Sequence, residues 1–227
     1  MTDCVAIVSG GMDSITLLHY LVKHLNKQPA VLTFIYGQKN NREIGYAQYH
    51  AAALNISDHR VLDVAVFAPL LASSALISDD VPLPDIDEAR QQGQPSTYVP
   101  NRNMIFLALA VAYAETLGVQ DVFYGAQKQD AYSYWDTTPQ FLEQLNAIYA
   151  LNPKTPVHIH APFVNYSKAD VLRTGLELDV DYGQTWSCYA GGDAACGTCP
   201  TCVERLNAFR EVGVIDPLPY LNHGGES

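Results

Sequence analysis

Apolar residues recur along this chain with two periods. Residues 4–8 form a short continuous apolar run that stops at Ser9-Gly10-Gly11. That pattern predicts a buried strand and then a turn. From 14 to 25 the apolar positions are Ile15, Leu18, Leu21, Val22 and Leu25, the spacing of an amphipathic helix. After Pro29, residues 30–36 are apolar with a β-branched and aromatic bias and predict a second strand. Residues 42–54 read as a helix and 60–66 as a third strand. The order β-α-β-α-β predicts an open, mainly parallel sheet with helices on both faces.

Residues 77–100 break the rhythm. They hold Pro82, Pro84, Gly93 and Pro95, with acids at Asp79, Asp80, Asp85, Asp87 and Glu88. So long an irregular stretch reads either as a solvated excursion or as a lid over a binding site. Regularity then returns. Residues 103–117 predict an apolar helix, buried on most of its circumference and closed by Gly118 at C′. Strands are expected at 122–124 and 157–159 and a helix at 140–151, with a polar and aromatic loop over 125–139. Ser167 and Asp170 have capping-box spacing for a further helix. From Trp186 the chain is loop-like through a run of cysteines, and a last helix spans 200–212 and ends at Gly213.

Composition narrows the function. Hydrophobic residues make up 48% of the 227 residues, enough for a full core. There are 13 Lys and Arg against 24 Asp and Glu, a formal charge of −11. Such a surface opposes sequence-independent nucleic-acid binding and anionic membranes. The longest apolar run, 104–114, is too short to span a bilayer. The N-terminal stretch lacks a basic n-region and a cleavage site, so a cytoplasmic location is expected.

Four of the five cysteines, Cys188, Cys196, Cys199 and Cys202, crowd together as C-x7-C-x2-C-x2-C. In a reducing compartment this reads as a metal site. Four thiolates with no open position suit structural zinc; an iron–sulfur cluster is the rival. Cys4 reads as a small buried hydrophobe of the first strand. The expected division is a main domain over 1–185 and a zinc-binding segment with its helix over 186–227.

Ser9-Gly10-Gly11-Met12-Asp13-Ser14 lies at the first strand-to-helix junction. Two glycines admit a ligand close to the backbone, and successive N–H groups favour an anion. Neither a Walker A loop nor a dinucleotide fingerprint is present. The string resembles the SGGxDS loop of the PP-loop ATP pyrophosphatases. Further strings span nearly the whole chain: Tyr36-Gly37-Gln38-Lys39 with Glu43, Val99-Pro100-Asn101-Arg102-Asn103, Gly125-Ala126 before Asp130, Tyr134 and Asp136, Ser167-Lys168-Ala169-Asp170, Trp186-Ser187-Cys188-Tyr189, the three close cysteines, Arg205 and Asp216-Pro217. Together they resemble the QueC family of queuosine-precursor biosynthesis.

The resemblance implies an adenine-nucleotide α-hydrolase-like fold and an ATP-dependent ligase acting on a 7-deazaguanine derivative. ATP would activate 7-carboxy-7-deazaguanine as an adenylate and ammonia would give the amide. A second ATP would drive dehydration to 7-cyano-7-deazaguanine. It implies ATP binding, with Mg2+, at Val8, Ser9, Gly10, Gly11, Met12, Asp13, Ser14, Tyr36, Gly37, Gln38 and Lys39. Substrate would meet Tyr98, Arg102, Asn103, Gly125, Asp130, Tyr134 and Asp136, and the catalytic set would be Asp13, Lys168, Arg102 and Asp130. It also implies a homodimer and no direct nucleic-acid partner. Tyr98, Tyr132, Tyr134 and Trp135 are candidates to stack on a flat ring; Lys39, Arg102, Lys128 and Lys168 are candidates to meet anions. Six of the thirteen cations fall in or beside these strings, which predicts a locally basic pocket.

The chain departs from the family at Asn101, where Gly is usual and Asn tolerates a left-handed backbone. It departs again at Ser133, Trp135, Thr137 and Thr138, which stand at Gly, Pro, Cys and Arg places and predict a different loop path. Other readings are the same chemistry stopping at the amide or using a related deazapurine, a PP-loop tRNA thiolase with an iron–sulfur cluster, and a non-catalytic nucleotide-binding module.

Overall fold

The structure is a computed structural model. It describes residues 1–91, 93–128 and 134–221, without the side chains of 90 and 91. Five parallel strands, β1 (Cys4–Ile7), β2 (Pro29–Ile35), β3 (His59–Asp63), β4 (Asp121–Phe123) and β5 (His158–His160), form one sheet in the order β3-β2-β1-β4-β5. The expected strands all form, each within two residues of its predicted start. Among the described residues seven α-helices accompany them: α1 (Met12–His19), α2 (Arg42–Ala53), α3 (Ile86–Gln91), α4 (Arg102–Leu117), α5 (Pro139–Tyr149), α6 (Lys168–Glu177) and α7 (Pro200–Val212).

Period-two alternation within unbroken apolar strands splits the core between two sheet faces. Val5, Ala30, Leu32, Phe34 and Val122 pack on one face with Leu107, Val111 and Leu145 of α4 and α5. Ala6, Val8, Val31 and Phe123 pack on the other with Ile15, Leu18, Leu172 and Phe209 of α1, α6 and α7. Cys4 is fully buried there, as expected.

Four features differ from the sequence reading. The first helix starts at Met12, because Met12 and Ser14 are already buried. It ends in a π-turn over Tyr20–His24, where the Tyr20 and His24 rings stack at 4.7 Å. The stretch 77–100 is not wholly irregular, since α3 forms within it. The third strand stops at Asp63 and gives way to a 3-10 helix, Ala65–Leu70. And α4 is not buried on most of its circumference: Leu107, Ala110, Val111 and Ala114 face the sheet, while Ala108, Leu109, Ala112 and Leu117 are exposed. The sheet covers only one side of a helix, and no described element packs on the other.

Local signals are obeyed closely. Ser167 and Asp170 complete the capping box. Gly118 and Gly213 close α4 and α7 in the left-handed region. Asn101 has φ 53°, the conformation for which Gly or Asn is needed. The segment after Trp186 has its own small core of Trp186, Cys188, Cys199, Cys202, Leu218 and Tyr220. Helix α7 belongs to both bodies, because Ala208 and Phe209 pack on the sheet side.

The clamp between them is Arg205, which is completely buried. Its Nε and Nη2 donate to the Asp216 carboxylate at 2.7 and 2.9 Å, its Nη1 to Thr185 Oγ1 at 2.7 Å, and its Nη2 to the Tyr182 carbonyl at 2.9 Å. Removing one partner of such a pair strands the other charge without water. Arg205→Ala is therefore expected to cost about 3–5 kcal/mol of stability. Urea unfolding followed by circular dichroism measures it.

Candidate active site

The chain passes β1, β2 and β3 toward one edge and then crosses to β4 beside β1. Ligands of open parallel sheets lie at the carboxyl ends of strands where this reversal occurs. A cavity of about 320 Å³ opens there. Its floor is the end of β1 and the turn into α1. Val8, Ser9, Gly11, Met12, Asp13 and Ser14 all line it, as do Tyr36, Gln38 and Lys39 beyond β2. The turn is held from inside: Ser14 Oγ accepts from the N–H groups of Ser9 and Gly10 at 3.1 and 3.3 Å and donates to the Gly11 carbonyl at 3.1 Å.

Gly10 and Gly37 do not line the cavity and are needed for space. Gly10 has φ +100°, and a Cβ there would stand 1.9 Å from the Glu43 carbonyl oxygen. Gly37 has φ +86°, with Ala68 Cβ 2.7 Å from where its own Cβ would be. Helix α2 thus presses directly on the turn.

Lys168, the first residue of α6, reaches the Asp13 carboxylate at 3.0 Å and comes within 4.0 Å of Glu204 on α7. Asp13 Oδ1 is buried with no hydrogen-bond partner among the described residues.

Beside the turn the cavity becomes aromatic. Phe34 and Phe106 stack at 4.1 Å with planes 8° apart. Tyr134, Thr97, Leu76 and, from α3, Ile86 and Ala89 complete this compartment. The stretch 77–100 therefore borders the cavity. Arg102 and Asn103 enter from the start of α4, and Gly125 from the end of β4. Arg102 donates to Tyr36 Oη at 3.3 Å. A Cβ on Gly125 would meet the Ser14 backbone at 3.3 Å.

The cysteine segment supplies a further wall through Trp186, Ser187, Cys188 and Tyr189, with Thr201 and Glu204 of α7. The Trp186 N–H donates to the Gly10 carbonyl at 3.1 Å, and the Arg42 guanidinium lies 4.6 Å over the Trp186 ring. Behind that wall the sulfurs of Cys188, Cys196, Cys199 and Cys202 lie within 4.8 Å of one another. Cys196 Sγ and Cys202 Sγ are 3.9 Å apart. A tetrahedral ion with metal–sulfur bonds of about 2.3 Å spaces its sulfurs by about 3.8 Å, so the four-cysteine cluster is consistent with a bound metal.

Several residues singled out in the sequence stand elsewhere. Tyr98 is behind the lining: its hydroxyl accepts from Trp135 Nε1 at 2.8 Å and from the Asn101 N–H at 3.1 Å. Asp136 is buried against Asn103, and burial raises its carboxyl. Trp135 is half exposed, and Lys128 is exposed outside the cavity. Asp130, Tyr132 and Ser133 lie outside the described residues.

The expectation of a basic pocket is corrected. Among the described lining residues three cations, Lys39, Arg102 and Lys168, meet three acids, Asp13, Glu43 and Glu204. Glu43 stood in a motif string but was assigned no chemistry, and Glu204 was not singled out. For Glu43 the available signal was its place just after Tyr36-Gly37-Gln38-Lys39, one helical turn before the buried Ala47. Burial pushes the Glu43 carboxyl up to about 7, against the pull of Arg102 and a hydrogen bond from Gln38.

The family model for the queuosine biosynthesis protein QueC matches residues 3–213. The chain belongs to the QueC family. This QueC-family chain is 41% identical over 220 residues to 7-cyano-7-deazaguanine synthase 2 of Colwellia psychrerythraea, covering 97% of this chain and 99% of that protein. It is 44% identical over 216 residues to the 7-cyano-7-deazaguanine synthase of Hahella chejuensis, covering 95% and 92%. The Marinobacter nauticus synthase is 44% identical over 222 residues, covering 97% and 98%.

In this QueC-family chain Gly10 has the least room of the loop glycines. Gly10→Ala is expected to lose about 1–3 kcal/mol through backbone strain alone, with more from the clash on α2. Gly11→Ala, whose Cβ would lie 3.3 Å from Ser9 Oγ, is expected to lose less. Denaturant midpoints of the two variants give the comparison.

Proposed function

We infer that the protein uses ATP to convert 7-carboxy-7-deazaguanine and ammonia to 7-cyano-7-deazaguanine, by way of an adenylated acid and an adenylated amide. The observation that carries this reading is the SGGMDS turn at the sheet's switch point with an aromatic compartment beside it. Relatives bearing the synthase name match over nearly their full lengths.

The residues divide the work. Turn N–H groups and Lys168 receive the β- and γ-phosphates. The substrate carboxylate attacks the α-phosphate and pyrophosphate departs, its growing charge met by donors already in place. Arg102 orients the carboxylate. Phe106, Phe34 and Tyr134 enclose the flat ring, Asn103 is braced by Asp136, and Asp130 reads the guanine-like edge. Tyr98 acts through Trp135 and the Asn101 backbone. Magnesium bound with ATP would shield phosphate charge, and Asp13 Oδ1, without a partner among the described residues, is the hard oxygen donor such an ion takes. The four cysteines would hold zinc in a closed structural site.

The reading places the enzyme in the cytoplasm, with free ammonia as nitrogen source and no nucleic-acid partner. A homodimer fits the exposed apolar face of α4.

Incubation with 7-carboxy-7-deazaguanine, ATP, magnesium and ammonium is expected to give the nitrile by mass, with AMP and pyrophosphate released. The amide alone would mark an enzyme that stops halfway, and neither product would overturn the reading. Asp13→Ala is expected to abolish pyrophosphate release. Metal analysis is expected to return about one zinc per chain for a four-cysteine site, in a colourless protein; brown absorbance would indicate an iron–sulfur cluster instead.

A further inference from the structure

The reaction needs a proton acceptor, a role given above to no described residue. Ammonia brings three hydrogens and the nitrile nitrogen keeps none. The first proton leaves when nitrogen bonds to the acyl carbon and the carbon–oxygen bond to AMP breaks. The second leaves when the amide oxygen takes AMP and pyrophosphate departs, giving an imidate. The third leaves when the imidate's carbon–oxygen bond breaks, AMP departs and the triple bond forms. No oxidant or reductant is involved. All three protons come off one atom, so a base must stand beside the junction of adenylate and ring.

Three described carboxylates line the cavity. Asp13 is paired with Lys168 at 3.0 Å. Glu204 is 4.0 Å from the same lysine and two residues from Cys202. Glu43 makes no ion pair within 4.0 Å to a described residue. Its backbone carbonyl abuts Gly10 on the phosphate turn, while its side chain meets Gln38 and the field of Arg102. It thus bridges the phosphate end and the aromatic compartment, where the reacting carbon must lie.

We propose that Glu43 is the general base that removes protons from the nitrogen in amide and nitrile formation, an assignment that rests on the synthase reading. The charged and titratable groups facing it are Arg102 from α4 and Tyr36 from the end of β2; Lys168 and Asp13 face the same cavity but are tied to each other. Its carboxyl near 7 suits repeated use, because a base poised near the working pH both takes and returns a proton.

The test separates adenylation from proton removal. Glu43→Gln is expected to retain ATP–pyrophosphate exchange with 7-carboxy-7-deazaguanine in the absence of ammonia. It is expected to form amide and nitrile about a hundredfold or more slowly, with Glu43→Asp recovering part of the rate. Starting from the amide removes ammonia's own ionisation from the pH profile. Wild-type nitrile formation should then rise with pH through about 7, as the carboxylate forms. That measurement needs no variant, so it stands even if Glu43→Gln folds poorly. Wild-type rates in Glu43→Gln, loss of exchange together with turnover in a folded variant, or a flat wild-type profile would each overturn the assignment alone. A wild type inert toward both acid and amide would overturn the functional reading and this one with it.

Discussion

Everything at the site depends on how closely α2 approaches the turn after β1. The Glu43 carbonyl occupies the space a side chain at Gly10 would fill. One contact therefore does two things. It excludes any side chain at Gly10, whose φ of +100° is a backbone that glycine adopts easily. It also delivers the first turn of α2, with Glu43, to the wall of the cavity. The Ser14 hydroxyl then holds the shape by bonding to both flanks of the turn. A turn held this way costs little reorganisation when charge develops on a bound phosphate, which is the basis of electrostatic preorganisation.

The cysteine segment is tied to that same turn rather than appended at a distance. Trp186 donates to Gly10, and Ser187 to Tyr189 line the cavity. Arg205 pins the segment by satisfying its guanidinium on Asp216, Thr185 and the Tyr182 carbonyl, all in the interior. A segment of some forty residues has too small an apolar core to fold alone. Its rigidity comes from the buried ion pair and from α7 shared with the main core. An ion held by the four cysteines would add to it and would act on catalysis only indirectly, by fixing a wall.

Local chemistry was the most legible part of the sequence. Continuous apolar runs marked strands buried on both faces, and Ser167, Gly118, Gly213 and Asn101 marked their caps and turns correctly, because each acts through its own backbone. The four cysteines announced their cluster by spacing alone. What the sequence hid depended on tertiary contact. The exposed half of α4 could not be read, since an apolar helix does not reveal which side its own sheet covers. Phe34 and Phe106 meet across 72 residues of chain, and nothing local pairs them. Tyr98 looked like a ring-stacking residue but is engaged with Trp135, while Glu43 stood in a motif string with nothing local to mark its surroundings.

The charge balance shows why motif position alone misled. A chain with few cations placed them in its motif strings, and the inference of a basic pocket followed. In the fold four of the six carry a counterweight: Lys168 faces Asp13, Lys39 faces the exposed Asp79 at 3.3 Å, Arg42 faces Asp193, and Arg205 is paired with Asp216. A triphosphate entering such a cavity cannot rely on surplus positive charge. It must be held by backbone N–H groups, by ions that arrive with it, and by cations it wins from their carboxylates. This has a kinetic advantage. Pyrophosphate must leave after each activation, and a cavity with three acids opposite three cations releases a polyanion more readily than a strongly basic one.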